Sequence, residues 1–226
     1  MVPNTEPHIP KLQGQLDRAR KELSVLYDIS NAMRTTLELN HILYIILTGV
    51  TSHAGLGFNR AVLFLVNKKE RYLEPKMALG PDSGEHADRI WTYITESEQK
   101  LEDLIAADKL SQIQNTSSLF EAVKNLKIPL DTSDTSLLAM AFHKGIPLVV
   151  RPQEMPQYKD APLLKVFETE EMVVAPLRGK EKVIGLIIAD NIFNKKPITN
   201  DDVKIFTMLA NQAGLAIENS ELYEVV

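Results

Sequence analysis

The sequence predicts an α/β domain of the α+β kind, with an antiparallel sheet covered by helices on both faces. Three observations carry that expectation. Two short apolar runs, residues 172–177 and 183–189, flank the polar break RGKEK at 178–182, the pattern of a β-hairpin. The run RAVLFLV at 60–66 is apolar on both alternating faces, as a strand is when helices cover both sides of it. Beyond Thr199, one helical stripe passes through Val203, Phe206, Ala210, Ala213 and Ile217 and a second through Ile205, Leu209 and Ala216. Two apolar stripes predict a helix that packs on a sheet and on another helix.

A chain of 226 residues makes one large domain, or one domain with helical attachments. Its 44% hydrophobic content supports a full core and argues against disorder along most of the length. A net charge of −5 argues against a nucleic-acid partner, which needs a concentrated basic face. The small basic clusters at Lys68, Lys69 and Arg71 and at Lys195 and Lys196 fall in turns and read as solvated charge. No cysteine is present, which excludes disulfides, thiolate metal sites and thiol nucleophiles. Residues 1–10 hold three prolines and no apolar run, so no signal peptide is expected. The longest apolar run, 42–47, is too short to span a bilayer. The expected location is the cytoplasm, without membrane insertion.

Taken in order, residues 1–35 form a leader and a helix over 11–34. Ile9, Leu12, Leu16, Ala19, Leu23, Leu26, Ser30 and Met33 recur at steps of three and four, the seam of a coiled coil. Such a narrow stripe suits a helix partner, so a homodimer is expected; the competing reading is one amphipathic helix packed on its own domain. Thr35 and Glu38 offer a capping box for a second helix that ends near residues 55–57. Residues 71–79 form a strand in which Pro75 points to a sheet edge. In the middle, helices are expected over 84–110, 120–126 and 135–143, a strand over 146–150 and a helix over 161–167. Thr199 stands three residues before Asp202, a second capping box, which opens the last helix.

No catalytic constellation is present: no GxxxxGK[ST] loop, no GxSxG elbow and no HExxH pair. The five histidines are scattered, and no cofactor or metal is implied. Trp91, Tyr93, Phe142 and His143 could line a small apolar cavity. Helix-to-sheet core packing explains Trp91 and Phe142 equally well.

The motifs VAPL at 174–177, VIGL at 183–186, ADN at 189–191 and AGLAIEN at 213–219, in that order and spacing, resemble the C-terminal half of a GAF domain. That family is the small-molecule-sensing module of signalling proteins. Together with LYDISNAMRTTLELN between residues 26 and 40, the resemblance covers 36–226, with an enlarged helical middle over 80–171 and an output helix over 199–226. It implies a GAF-like fold whose first and last helices form a bundle. It also pairs the first strand with the last hairpin strand, setting Arg60 beside Asp190 and Asn191. Arg60 would then either anchor a ligand's carboxylate or phosphate, or form a structural ion pair, the reading we prefer. The lack of cysteine removes thioether attachment of a bilin and thiol-based methionine sulfoxide reduction. Asn194, Lys195 and Phe206 align with the cyclic-nucleotide signature of some members, but Ala210 and Asn211 replace its acidic pair.

The function this implies is a non-enzymatic regulatory sensor that binds a small molecule between the sheet and the 84–145 segment. Candidate ligand contacts are Arg60, Trp91, Tyr93, Phe142, His143, Asp190 and Asn191. The expected homodimer uses helices 11–34 and 199–224 and signals to a C-terminal output domain, a histidine kinase or cyclic-dinucleotide enzyme. The alternative is a dimerisation scaffold of the same fold whose pocket is filled by its own side chains.

Overall fold

The computed structural model describes residues 8–67, 69, 71–81, 83–85, 87, 100–106, 118–131, 136–151, 153 and 161–223. Among them, six strands form one antiparallel sheet in the order β3-β2-β1-β6-β5-β4. The strands are β1 Arg60–Asn67, β2 Tyr72–Leu79, β3 Ile128–Pro129, β4 Leu148–Val150, β5 Met172–Arg178 and β6 Val183–Asp190. β1 and β6 lie at the centre, which explains why both read as continuous apolar runs rather than alternating ones.

Alternation along these strands sorts the side chains into two cores. Ala61, Leu63 and Leu65 of β1 join Val173, Ala175 and Ile187 on one face. Helices α1 His8–Met33, α2 Leu39–Thr51 and the last helix, Asn200–Tyr223, close that side. Val62 and Phe64 join Val174, Leu186 and Ile188 on the other face. That side is covered by α4 Ser118–Val123, α5 Leu137–Lys144 and α6 Ala161–Phe167; α3 is the single turn Leu101–Leu104. The last helix is therefore α7.

α2 is buried at every position from Ile42 to Val50, because it lies between the sheet and the two terminal helices. α7 opens as expected: the Asp202 amide donates to Thr199 Oγ1 (3.2 Å) and the Thr199 amide to the Asp202 carboxylate (2.9 Å). α1 and α7 run side by side in the same direction. Arg18, ten residues into α1, reaches Asp202 (3.4 Å) at the start of α7, and Ser220 Oγ near the end of α7 donates to the carbonyl of Leu37 (2.7 Å), just beyond α1.

Several expectations need correction. Thr35 does not cap α2: its hydroxyl donates back to the Ala32 carbonyl, and the helix begins one residue after Glu38. α2 stops at Thr51, not at 55–57, where the chain turns back so that the Leu56 amide meets the Gly49 carbonyl (2.8 Å). β2 is not an edge strand, since β3 pairs with Tyr72 and Leu73. β3 is too short to reach Pro75, which lies at a register shift against β1 and so needs no amide hydrogen on that rim. The coiled-coil stripe divides in two. Leu26 and Met33, with Val25 and Ile29, are buried in the chain's own core, whereas Leu12, Leu16 and Leu23 are at least half exposed. Of the helix expected over 84–110, Gly84, Glu85, Ala87 and Leu101–Leu104 are helical, Lys100 is not, and Ile90, Trp91, Tyr93 and Ile94 lie outside the described residues.

Candidate functional site

Arg60 opens β1 and Asp190 closes β6, and the antiparallel register makes them direct partners. Arg60 Nε donates to Asp190 Oδ1 (3.2 Å), and Nη2 donates both to Asp190 Oδ2 (2.5 Å) and to the Phe167 carbonyl (2.6 Å). The guanidinium lies 5.0 Å from the Phe167 ring centre and 5.8 Å from that of Phe193, a doubly aromatic seat for a cation. Arg60 is 8% exposed and Asp190 fully buried. Burial pushes the Asp190 carboxyl above its ordinary value, while the Arg60 hydrogen bond and charge and the Ile192 amide pull it back. Asn59 ties the following loop down, its side-chain oxygen accepting from the Phe193 (2.8 Å) and Asn194 (2.9 Å) amides.

Asn191 turns away from this pair. Its Nδ2 donates to the Lys196 carbonyl (2.9 Å), and it lines a polar cleft of about 240 Å³ with Glu168, Thr169, Lys195 and Lys196. Arg60 and Asp190 do not line that cleft; they bond each other, the Phe167 carbonyl and the Ile192 amide.

Phe142 and His143 lie elsewhere. They end α5, in an edge-on ring contact with centroids 5.5 Å apart, and His143 Nε2 is bonded to the Leu130 carbonyl. Both line a cavity of about 200 Å³ with Val66 and Val183, at the opposite end of β1 and β6 from Arg60. Six residues of strand separate Arg60 from Val66, roughly 20 Å at the usual rise per residue. The expected contacts thus divide into Arg60, Asp190 and Asn191 at one end of the sheet and Phe142 and His143 at the other. Trp91 and Tyr93 lie outside the described residues. Among the described residues no group of three or more histidines or carboxylates could hold a metal ion.

Four further residues, none of them among the expected ligand contacts, connect the two faces. Arg178, ending β5, donates through Nη2 to the Gly145 carbonyl (2.5 Å) at the C-terminus of α5. The backbone of Arg178 lies against Gly214 of α7, where a Cβ would come within 2.5 Å of the Arg178 nitrogen. The Lys180 amide donates to Glu218 of α7 (2.7 Å). Gly214 and Glu218 fall within the AGLAIEN motif and Arg178 and Lys180 within the RGKEK break, but nothing in the sequence marks Gly214 as facing Arg178 or Glu218 as facing Lys180.

A GAF domain model matches residues 38–217 of this chain. No curated protein matches it in sequence. Among solved structures, the GAF domain of a phosphoenolpyruvate-protein phosphotransferase from Coxiella burnetii is similar, with 12% identity and a TM-score of 0.62 over 92% of this chain and 99% of that one. Residues 122 to 287 of a methyl-accepting chemotaxis protein are similar too, with 16% identity and a TM-score of 0.59 over 88% and 99%. So is a free methionine-R-sulfoxide reductase from Neisseria meningitidis in complex with its substrate, with 15% identity and a TM-score of 0.57 over 89% and 91%. At such identities these structures establish the shared fold. The family model spans most of the chain, and the chain belongs to the GAF domain family.

Proposed function

We propose that this chain is a non-catalytic sensor module that binds a small molecule on the α4–α6 side of the sheet and signals through α1 and α7. The observation that carries this reading is the seat of α7 on the β5–β6 turn. Gly214 leaves no room between α7 and Arg178, while the Arg178 side chain holds the far end of α5. A shift of α5 or of the hairpin is thus transmitted to α7 through one residue. Sensing requires two such arrangements with different ligand affinity. In this reading the ligand lies between the sheet and the 84–145 segment; Trp91 and Tyr93, expected among its contacts, lie outside the described residues. Arg60 and Asp190 then fasten the sheet end, and Asn191 shapes the loop beyond it. The output domain is a histidine kinase or a cyclic-dinucleotide enzyme, joined after α7.

Dimerisation through α1 and α7 is part of the same proposal. Leu12, Leu16, Leu23 and Tyr27 on α1, and Leu222 and Tyr223 at the end of α7, are at least half exposed. An apolar row of this kind is covered by a second copy more readily than by water. Sedimentation equilibrium tests this: wild type is expected to be dimeric, and Leu16→Glu with Leu23→Glu monomeric at unchanged helicity. A monomeric wild type would refute it.

One observation favours the second reading, a scaffold without ligand. Phe64, Leu138, Phe167, Val174, Leu186 and Ile188 fill the second core with their own side chains, none more than 2% exposed.

A further inference from the structure

The cavity at the hairpin end of the sheet has a composition that the fold does not require. Leu130 and Ile184, both under 9% exposed, form its apolar floor with Phe142, and Arg71, His143 and Lys182 stand exposed around it. Neither Arg71 nor Lys182 has a side-chain hydrogen bond or ion pair to another described residue, although acidic side chains outnumber basic ones in the chain. Arg71 also holds a left-handed backbone conformation, φ 55°, at the end of the β1–β2 turn. Glycine or asparagine suits that conformation better, so the turn itself gives no reason for an arginine.

We propose that this cavity binds a compact organic anion: a carboxylate held between Arg71 and Lys182, with a small apolar body on Leu130, Phe142 and Ile184. The volume of about 200 Å³ falls below that of ordinary drug-sized sites and limits the ligand to a few heavy atoms beyond its charged group. Arginine suits the carboxylate through its paired donors, and lysine adds a mobile point charge. Glu221 of α7 lines the same cavity. The lining thus draws on the β1–β2 turn, the β5–β6 turn, α5 and α7, beside the contacts of Lys180 and Arg178 with α7. This site shares Phe142 and His143 with the contacts expected for the sensing ligand, so the proposal rests on that reading and names a ligand class and a place for it.

Methyl NMR of the full chain, titrated with benzoate and with benzyl alcohol as its neutral counterpart, tests the proposal. Benzoate is expected to move the Leu130, Val183 and Ile184 methyl signals saturably, with benzyl alcohol at least about tenfold weaker. The double variant Arg71→Asn, Lys182→Gln is expected to bind benzoate at least about tenfold more weakly, with its remaining spectrum unchanged. Asparagine tolerates the left-handed conformation and both positions are exposed, so the fold is retained. Absence of saturable shifts at these methyls, equal binding of the alcohol, or undiminished binding by the double variant would each overturn the proposal. Shifts centred on Leu138 instead would also overturn it, while supporting a ligand in the sensing pocket.

Discussion

Arg60 and Asp190 bring opposite charges into the closed end of a sheet, where desolvation works against both. Removing one partner from such a pair leaves a buried charge uncompensated, which costs about 3–5 kcal/mol. Arg60→Met is expected to lower stability by about that much in urea denaturation, because Asp190 has no water to turn to. Arg60→Met combined with Asp190→Leu should recover most of the loss, since apolar replacement of a whole buried pair is often neutral. The pH dependence has a definite sign. A carboxyl whose folded pKa lies above its unfolded value contributes stability that is present below the unfolded pKa and lost as pH rises through the folded one. Burial already raises Asp190 in that direction, and loss of Arg60 raises it further. The Arg60→Met penalty should thus be smallest in acid and grow as pH rises; a penalty largest in acid would contradict this. The pairing itself was legible only through the family resemblance, which set the first strand beside the last hairpin strand; the antiparallel register then places Arg60 opposite Asp190. Phe167 and Phe193 were not, since neither the α6 docking angle nor the path of the 191–194 loop leaves a periodic trace.

At the scale of elements, the contact between the β5–β6 turn and α7 depends on a missing side chain. A methyl group at Gly214 would collide with the Arg178 backbone, which cannot move aside without unpairing β5. Gly214→Ala is expected to lower stability by about 1–3 kcal/mol, despite alanine's better helix propensity. Gly14, in the exposed half of α1, has nothing within 4 Å of a built Cβ, so Gly14→Ala should stabilise by up to about 1 kcal/mol. Thermal melts of the two variants therefore move in opposite directions, and equal shifts would refute the clamp. Thr199→Ala removes the cap of α7 and should cost about 1 kcal/mol in the same assay. The hairpin, the double-faced β1 and the two-striped α7 could be read in advance because each carries its burial in the sequence, as unbroken apolar runs in the strands and as two stripes at helical spacing in α7. Thr35 misled because any threonine three residues before a glutamate fits the capping pattern, and here the chain turns once more before α2 begins. Pro75 misled for a related reason: proline marks an unpaired rim, and the two-residue β3 leaves most of the β2 rim unpaired by described residues.

At the scale of the whole molecule, α1 serves two purposes that one heptad pattern could not separate. Its second half lies along α7 and closes the core through Val25, Leu26, Ile29 and Met33, so part of the stripe already has a partner within the chain. Its first half continues with Leu12 and Leu16 exposed before α7 begins alongside. The division of the expected ligand contacts has a similar origin. Phe142 and His143 stand near Arg60 in neither sequence nor register, and their position depends on where α5 docks across the sheet, which long-range packing decides. Among the described residues no helix is long and apolar enough to cross a membrane. What joins these levels is a sheet whose hairpin holds α5 with a side chain and α7 with its backbone, in a chain whose terminal helices leave an apolar row uncovered. Native mass spectrometry of freshly purified protein, repeated after denaturation, tests the sensor reading most directly. The expected result is a dimer carrying a non-covalent mass increment that disappears on denaturation; a monomer of bare chain mass would contradict it.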